Sequence, residues 1–297
     1  MKSFQYLAPI PAFEYAAPRT LSELFEILDG RGKEIQVIAG GTDLMIALKE
    51  RSVAPKIVVD LGRLRNELGD VAVEDGVLRV GALATFSQIE SSPFVARYAN
   101  ALRQAAADVG TLQIRSIATL GGNLATASPA ADSAPPLIAL GANVILLSAS
   151  GQRSLPAQGV FAGPKRNGLR PGEIVSSVEI PAKGEARSAW TRSAVRKENV
   201  LSTVSVAVAT TVKDGRFGAS RVALGAVAPT PILAEKATAA MTGSEATEDQ
   251  AERVAALAAE DARPISDIRA SANYRKRLVQ VLTKRLILQV LSESARP

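Results

Sequence analysis

Two diglycine breaks, about eighty residues apart, restrict this chain more than any other feature. The first lies in Val37-Ile38-Ala39-Gly40-Gly41-Thr42-Asp43-Leu44. The second lies in Ala118-Thr119-Leu120-Gly121-Gly122-Asn123, followed by Ala127-Ser128-Pro129-Ala130-Ala131-Asp132. Each is a short apolar run ending in Gly-Gly plus a small hydroxyl and an amide or carboxylate. Glycine lets the backbone turn and approach a ligand without a Cβ in the way. Consecutive outward N–H groups form an anion-binding concavity. Two such turns suit the two ends of a long, doubly charged ligand. Each also has a plain structural reading. Gly40-Gly41-Thr42 fits a tight strand-to-helix turn with Thr42 as N-cap, and Gly121-Gly122 fits a bulge or turn after residues 116–118. Asp132 fits either a hydrogen bond to a sugar-like hydroxyl or an N-cap ahead of a helix over 135–140.

The chain has 297 residues, 47% of them hydrophobic and 22% charged. That is enough for a sizeable core and for two domains of ordinary size. It contains neither cysteine nor histidine. Disulfides, Cys-ligated zinc, Cys-ligated iron–sulfur clusters, a cysteine nucleophile and a Ser-His-Asp triad are therefore excluded. So is a flavin attached covalently through His or Cys, and redox chemistry must come from a non-covalent cofactor. No metal site is expected, and no catalytic residue is assigned. The net charge of +6 comes from dispersed basic residues, and aromatics are only 4%. The clustered base and stacking platforms of a nucleic-acid binder are missing. No apolar run approaches a membrane span, and residues 1–19 lack the order of a secretory signal. The expectation is a cytoplasmic protein.

Local patterns place the turns in an α/β unit. Thr20-Leu21-Ser22-Glu23 reads as a capping box opening a short helix that stops at Gly30. Residues 34–38 read as a strand running into the first turn, followed by a helix over 43–50 capped by Thr42 and a strand over 56–60. Residues 71–73 and 77–80 read as a hairpin about Asp75-Gly76. Thr85 caps a short helix, and 93–108 reads as one longer helix with Phe94, Val95, Tyr98, Leu102 and Ala105 at helical spacing. Strands follow over 143–147 and 174–180. Residues 182–188 are small and polar, a plausible boundary. Beyond them come three antiparallel strands (189–195, 204–212 and 222–227) and three helices (231–242, 248–262 and 271–292). The last helix places Leu278, Val281, Leu282, Leu286 and Val290 on one face.

The motifs at 37–44 and 118–132 resemble the two FAD loops of the molybdenum hydroxylase flavoproteins, the FAD-binding medium subunits of the xanthine dehydrogenase, aldehyde oxidoreductase and carbon monoxide dehydrogenase group. The resemblance runs through nearly the whole chain. Residues 1–18 resemble the family's opening strand, Leu169-Arg170-Pro171-Gly172-Glu173-Ile174 its "L-R-P-G-E-I", and Arg196-Lys197-Glu198-Asn199 its basic-acidic turn.

The resemblance implies an α+β chain. An FAD-binding domain of the vanillyl-alcohol oxidase (PCMH) type over 1–181, in subdomains of about 1–60 and 61–181, precedes a C-terminal domain over 185–292 with a three-stranded antiparallel sheet and a helical bundle. It implies non-covalent FAD, with residues 37–44 around the pyrophosphate. Ala118, Thr119, Gly121, Gly122, Asn123 and Ser128 serve as the second loop, Asp132 bonds a cofactor hydroxyl, and Leu169 and Lys197 lie on the flavin side. It implies partners too: a large molybdenum-cofactor subunit and a small 2[2Fe-2S] subunit, with a dimer of heterotrimers left open. Electrons from the clusters would leave through this chain to NAD, dioxygen or a quinone. Rival readings are a stand-alone FAD oxidoreductase of the same fold, for which no acid–base cluster is evident, and a non-catalytic nucleotide-binding assembly subunit.

Overall fold

A computed structural model describes residues 9–30, 32–182, 184, 186–196 and 198–294. The chain begins as the parallel α/β unit that its pattern predicts. Ile57–Asp60 lies between Glu14–Ala16 and Ile35–Ile38, both parallel to it. Leu24 and Leu28, from the helix Leu21–Leu28, pack on one face with Ile35, Ile57 and Val59. Thr20 caps that helix through the Glu23 N–H, but the Glu23 carboxylate takes the N–H of Arg19 rather than of Thr20. The opening strand of the resemblance is seen only as Glu14–Ala16; residues 1–8 lie outside the described residues.

A five-stranded antiparallel sheet follows, in the order Val71–Glu74, Val77–Gly81, Ile174–Pro181, Asn143–Ser148, Gly151–Pro156. The Asp75-Gly76 turn joins the first two strands with both φ angles positive (49° and 74°), as a type I′ hairpin turn requires. Strand Gly151–Pro156 escapes sequence reading because Gln152, Arg153 and Ser154 make it a polar edge strand. The helix expected over 93–108 is two helices, Pro93–Tyr98 and Asn100–Asp108, broken at Ala99 (φ −143°, ψ 47°). A distant residue makes the break. Ser188 receives the Asn100 amide on its carbonyl and the Ala101 N–H on its hydroxyl, so it supplies the cap that the chain lacks locally.

The last sheet is antiparallel: Arg187–Ser193, Val204–Lys213, Arg216–Gly225 and a two-residue fourth strand, Ile232–Leu233, beyond the three expected. Its second strand alternates by size. Val204, Val206 and Val208 face the helices Glu235–Met241, Glu248–Asp261 and Ala272–Ser294, while Ala207 and Ala209 face the core of the central sheet. Small residues there permit close docking: a Cβ on Gly225 would come 2.8 Å from Pro135. In the final helix Leu282, Leu286 and Val290 are buried as expected. Val279, Thr283 and Ile287 share that burial, and Val281 is only half-buried. Among the described residues no helix is long and apolar enough to cross a membrane.

Candidate functional site

Strand Ile35–Ile38 delivers the first diglycine turn, and the turn ends in the six-residue helix Leu44–Lys49. Gly41 has φ +70°, a conformation that costs glycine little. Thr42 does not cap the helix as expected. Asp43 occupies the N-cap position in helical backbone geometry, and its side chain makes no cap bond. The N–H groups of Gly41, Thr42, Asp43 and Leu44 meet no protein acceptor among the described residues. Four consecutive unpaired donors around a left-handed glycine are the concavity that an anion fills. Val37, Ile38, Ala39 and Leu44 flank the turn, and Ala39 packs on the first sheet's core.

The second diglycine is not a bend. Gly121 and Gly122 form the first turn of the helix Leu120–Thr126, capped by Thr119, whose hydroxyl accepts from Gly122 N–H at 3.2 Å. Leu120 N–H donates to Ala84 O (3.1 Å), Gly121 N–H to Ala82 O (2.8 Å) and Asn123 N–H to Thr119 O (3.0 Å). This turn therefore has few spare backbone donors; it offers close approach instead. Glycine is needed at 121 because a Cβ would lie 2.6 Å from Ala82 Cβ. At 122 a Cβ would meet only Thr119 Oγ1, at 3.0 Å, so that side is open. Asn123 accepts from Ser133 Oγ on Oδ1 (2.6 Å), which leaves its amide N–H groups to point elsewhere. Ser128 Oγ accepts from Ala130 N–H (3.2 Å).

The fold brings the two turns into contact. A Cβ on Gly40 would overlap the carbonyl of Ile117 and lie 3.0 Å from the Cα of the buried Ala118. Thr126 Oγ1 also reaches Asp43 Oδ2 in a long contact of 3.5 Å. Leu169 arrives on a segment tied to the end of the same helix: Lys165 N–H donates to Ala127 O (3.0 Å) and the Asn167 amide to Ala125 O (2.7 Å). Arg153 pins that segment, gripping Glu173 with two bonds (2.6 and 2.7 Å) and Gly168 O with a third (3.0 Å). Its guanidinium holds the Glu173 carboxyl below the ordinary range. Lys197 lies outside the described residues.

Asp132 does not cap a helix either. Ser133 holds the N-cap position of the helix Ala134–Ala139, and no side chain caps it. The Asp132 carboxylate is buried and turned toward the last sheet, where Ser202 Oγ donates to Oδ1 (2.5 Å) and Arg192 Nη1 to Oδ2 (3.0 Å). Burial pushes its carboxyl up to about 6, against the lowering by Ser202 and Arg192. Sequence reasoning misses Arg192 and Ser202, because one arginine in a half-polar strand carries no local signal. Next to Arg192 opens a cleft of about 400 Å³ lined by Asp108, Gly110, Arg115, Ala194, Arg196 and Glu198 among others, between the second-turn segment and the last sheet. Among the described residues no group of three or more carboxylates is arranged to hold a metal.

Two family models cover this architecture. Residues 11–183 match the FAD binding domain in molybdopterin dehydrogenase, and 190–290 match the CO dehydrogenase flavoprotein C-terminal domain. This chain belongs to the FAD-binding medium subunits of the molybdenum hydroxylase family. It is 33% identical to the nicotinate dehydrogenase FAD-subunit of Eubacterium barkeri over 95% of this chain and 97% of that one. A chain of the carbon monoxide dehydrogenase of Hydrogenophaga pseudoflava superposes with a TM-score of 0.91 at 28% identity, covering 96% of this chain and 99% of that one. A chain of quinoline 2-oxidoreductase from Pseudomonas putida 86 gives 0.90 at 32% identity over 97% and 100%. The medium subunit's cofactor is FAD, and its place is in an oxidoreductase complex. The residues fit that cofactor: the first turn offers unpaired N–H groups to a pyrophosphate, and Gly122 presents an open face beside it.

Proposed function

We propose that this chain is the electron exit of a molybdenum-dependent hydroxylase. Electrons delivered by the iron–sulfur clusters of a small partner subunit leave the complex here, for NAD, dioxygen or a quinone. Substrate oxidation belongs to a large molybdenum-cofactor subunit. The assembly is cytoplasmic and contains at least one copy of each chain. Bound FAD supplies the conversion between one- and two-electron steps. The FAD-binding domain spans 1–181, with the cofactor between its subdomains of about 1–60 and 61–181, and the C-terminal domain spans 185–292.

The observation that carries this reading is the contact of Gly40 with the Ile117 carbonyl, which merges the two turns into one cradle. Gly41, Thr42, Asp43 and Leu44 hold the pyrophosphate through their N–H groups. Thr119, Gly122 and Asn123 flank it from the second helix, while Val37, Ile38 and Ala39 wall the near side. Ala118, Gly121 and Ser128 shape the turn from behind. Leu169 and Lys197 would lie on the ring side of the cofactor. Asp132 keeps lone pairs beyond those used by Ser202 and Arg192, enough to accept from a cofactor hydroxyl.

Purification of the native complex tests the proposal. A yellow preparation with a flavin spectrum, containing molybdenum, iron, and one larger and one smaller chain, is the expected result. A flavoprotein that purifies alone and turns over a small substrate would refute it.

A further inference from the structure

The last sheet holds both ends of residues 108–132, the stretch that carries the second turn. At the front end, Asn199 N–H donates to Gly110 O (3.1 Å). Arg192 reaches Asp108 twice there, from Nε to Oδ2 (3.1 Å) and from Nη2 to the carbonyl (2.7 Å). At the back end, Ala226 N–H donates to Pro129 O (2.9 Å). Ser202 and the Nη1 of the same Arg192 share the Asp132 carboxylate, and Nη1 also reaches Val200 O (3.1 Å). One guanidinium therefore bridges the two ends. Its side chain is 4% exposed and that of Asp132 10%, so water competes little at the back end, whereas the Asp108 carboxylate at the front end is half-exposed. A planar fork with donors in several directions suits this task, and a lysine ammonium on a flexible stem does not.

We propose that Arg192 is a positioning residue for the flavin: by tying Asp108 to Asp132 it sets the span between the ends of the second turn and docks the C-terminal domain on the cofactor segment. This rests on the reading of residues 40–44 and 118–123 as the FAD cradle. The route of action is short. Residues 108 and 132 bracket Ile117, Ala118 and Gly122, and Ile117 is the group on which Gly40 rests. Without Arg192, Asp132 keeps only Ser202 as a side-chain donor among the bonds described, and the front end loses its link to the back. The second turn then loses its register against the first, although none of its own hydrogen bonds is touched.

The test uses the full chain, stripped of FAD and titrated with FAD at a temperature where every variant is folded. The unfolding temperature of the cofactor-free protein is measured in parallel. Arg192→Ala is expected to weaken FAD binding at least tenfold. Arg192→Lys should fall between it and the parent, because one ammonium serves one end of the clamp. Asp132→Asn in the Arg192→Ala background should cost less affinity than it costs in the parent, since the partner is already gone. If Arg192→Ala does not fold, Arg192→Lys and Asp108→Asn carry the test. Variants that melt earlier yet bind FAD within twofold of the parent would reduce Arg192 to an interface staple and overturn the proposal. A parent chain that takes up no FAD would instead sink the cradle reading, and this proposal with it.

Discussion

Gly122 sits in the first turn of the helix Leu120–Thr126, with ordinary helical backbone, where alanine would be the better residue by up to about 1 kcal/mol. Its Cβ would meet only the Thr119 hydroxyl, at 3.0 Å, and a hydroxyl contact of that length relaxes by a few tenths of an ångström. For the cofactor-free protein, Gly122→Ala is therefore neutral or mildly stabilising, raising the melting temperature by at most about 2 °C. If the open side of Gly122 is where FAD passes, the same methyl intrudes on the ligand. Overpacking by one methyl costs about 1–3 kcal/mol, which is roughly a 5- to 150-fold loss of affinity. The two effects have opposite sign, so a general loss of fold cannot imitate them. Gly121→Ala is the control: its Cβ would lie 2.6 Å from Ala82 Cβ and 2.9 Å from Ala82 O, and it should destabilise the cofactor-free protein outright. Calorimetry of the stripped protein and FAD titration by fluorescence quenching give both numbers. A Gly122→Ala protein that binds FAD within twofold of the parent would refute the placement of the cofactor against this turn.

Gly40→Ala should lower both stability and FAD affinity, because its Cβ meets backbone atoms of Ile117 and Ala118 that no rotamer change can move; unchanged melting and affinity would contradict the contact. Asp132 gives a pH signature. Its carboxyl rises from 3.8 to about 6 on folding, so the fold favours the protonated form. That contribution is full below about pH 4 and is lost as pH climbs through 6, a swing of roughly 3 kcal/mol. Stability of the parent should thus fall between pH 4 and 7 relative to Asp132→Asn, and parallel curves would show otherwise. Glu173→Gln removes a carboxylate gripped by Arg153 and should destabilise by about 1–3 kcal/mol at neutral pH. Because that carboxyl is held low, its contribution is present above the ordinary carboxylate range and fades as pH drops; an acid melting profile of both proteins checks this.

Features set by neighbours in sequence were legible, and those set by distant ones were not. The caps at Thr20 and Thr85 and the Asp75-Gly76 turn are local chemistry and are seen where expected. The helix over 93–108 reads as continuous because its apolar spacing runs through Ala99; only Ser188, docking from the last sheet, reveals the break. Gly121-Gly122 reads as a bend because glycine is a poor helix former. Packing against Ala82 overrides that preference. The order of the two motifs leads to the expectation of a paired cradle, but which N–H groups stay unpaired depends on the carbonyls of Ala82 and Ala84, some forty residues away. Asp132 reads from its neighbours as a cofactor ligand or an N-cap; the cap is not seen, and its partners Arg192 and Ser202 lie sixty and seventy residues on.

The meeting of Gly40 with Ile117 carries a consequence for biogenesis. On the proposed cradle neither motif alone receives the dinucleotide, since the unpaired donors sit on one and the open face on the other. A nascent polypeptide that has emerged only through its first hundred residues has half a receptor, and loading must await the remainder. On that placement flavin capture would come late, by a nearly finished molecule.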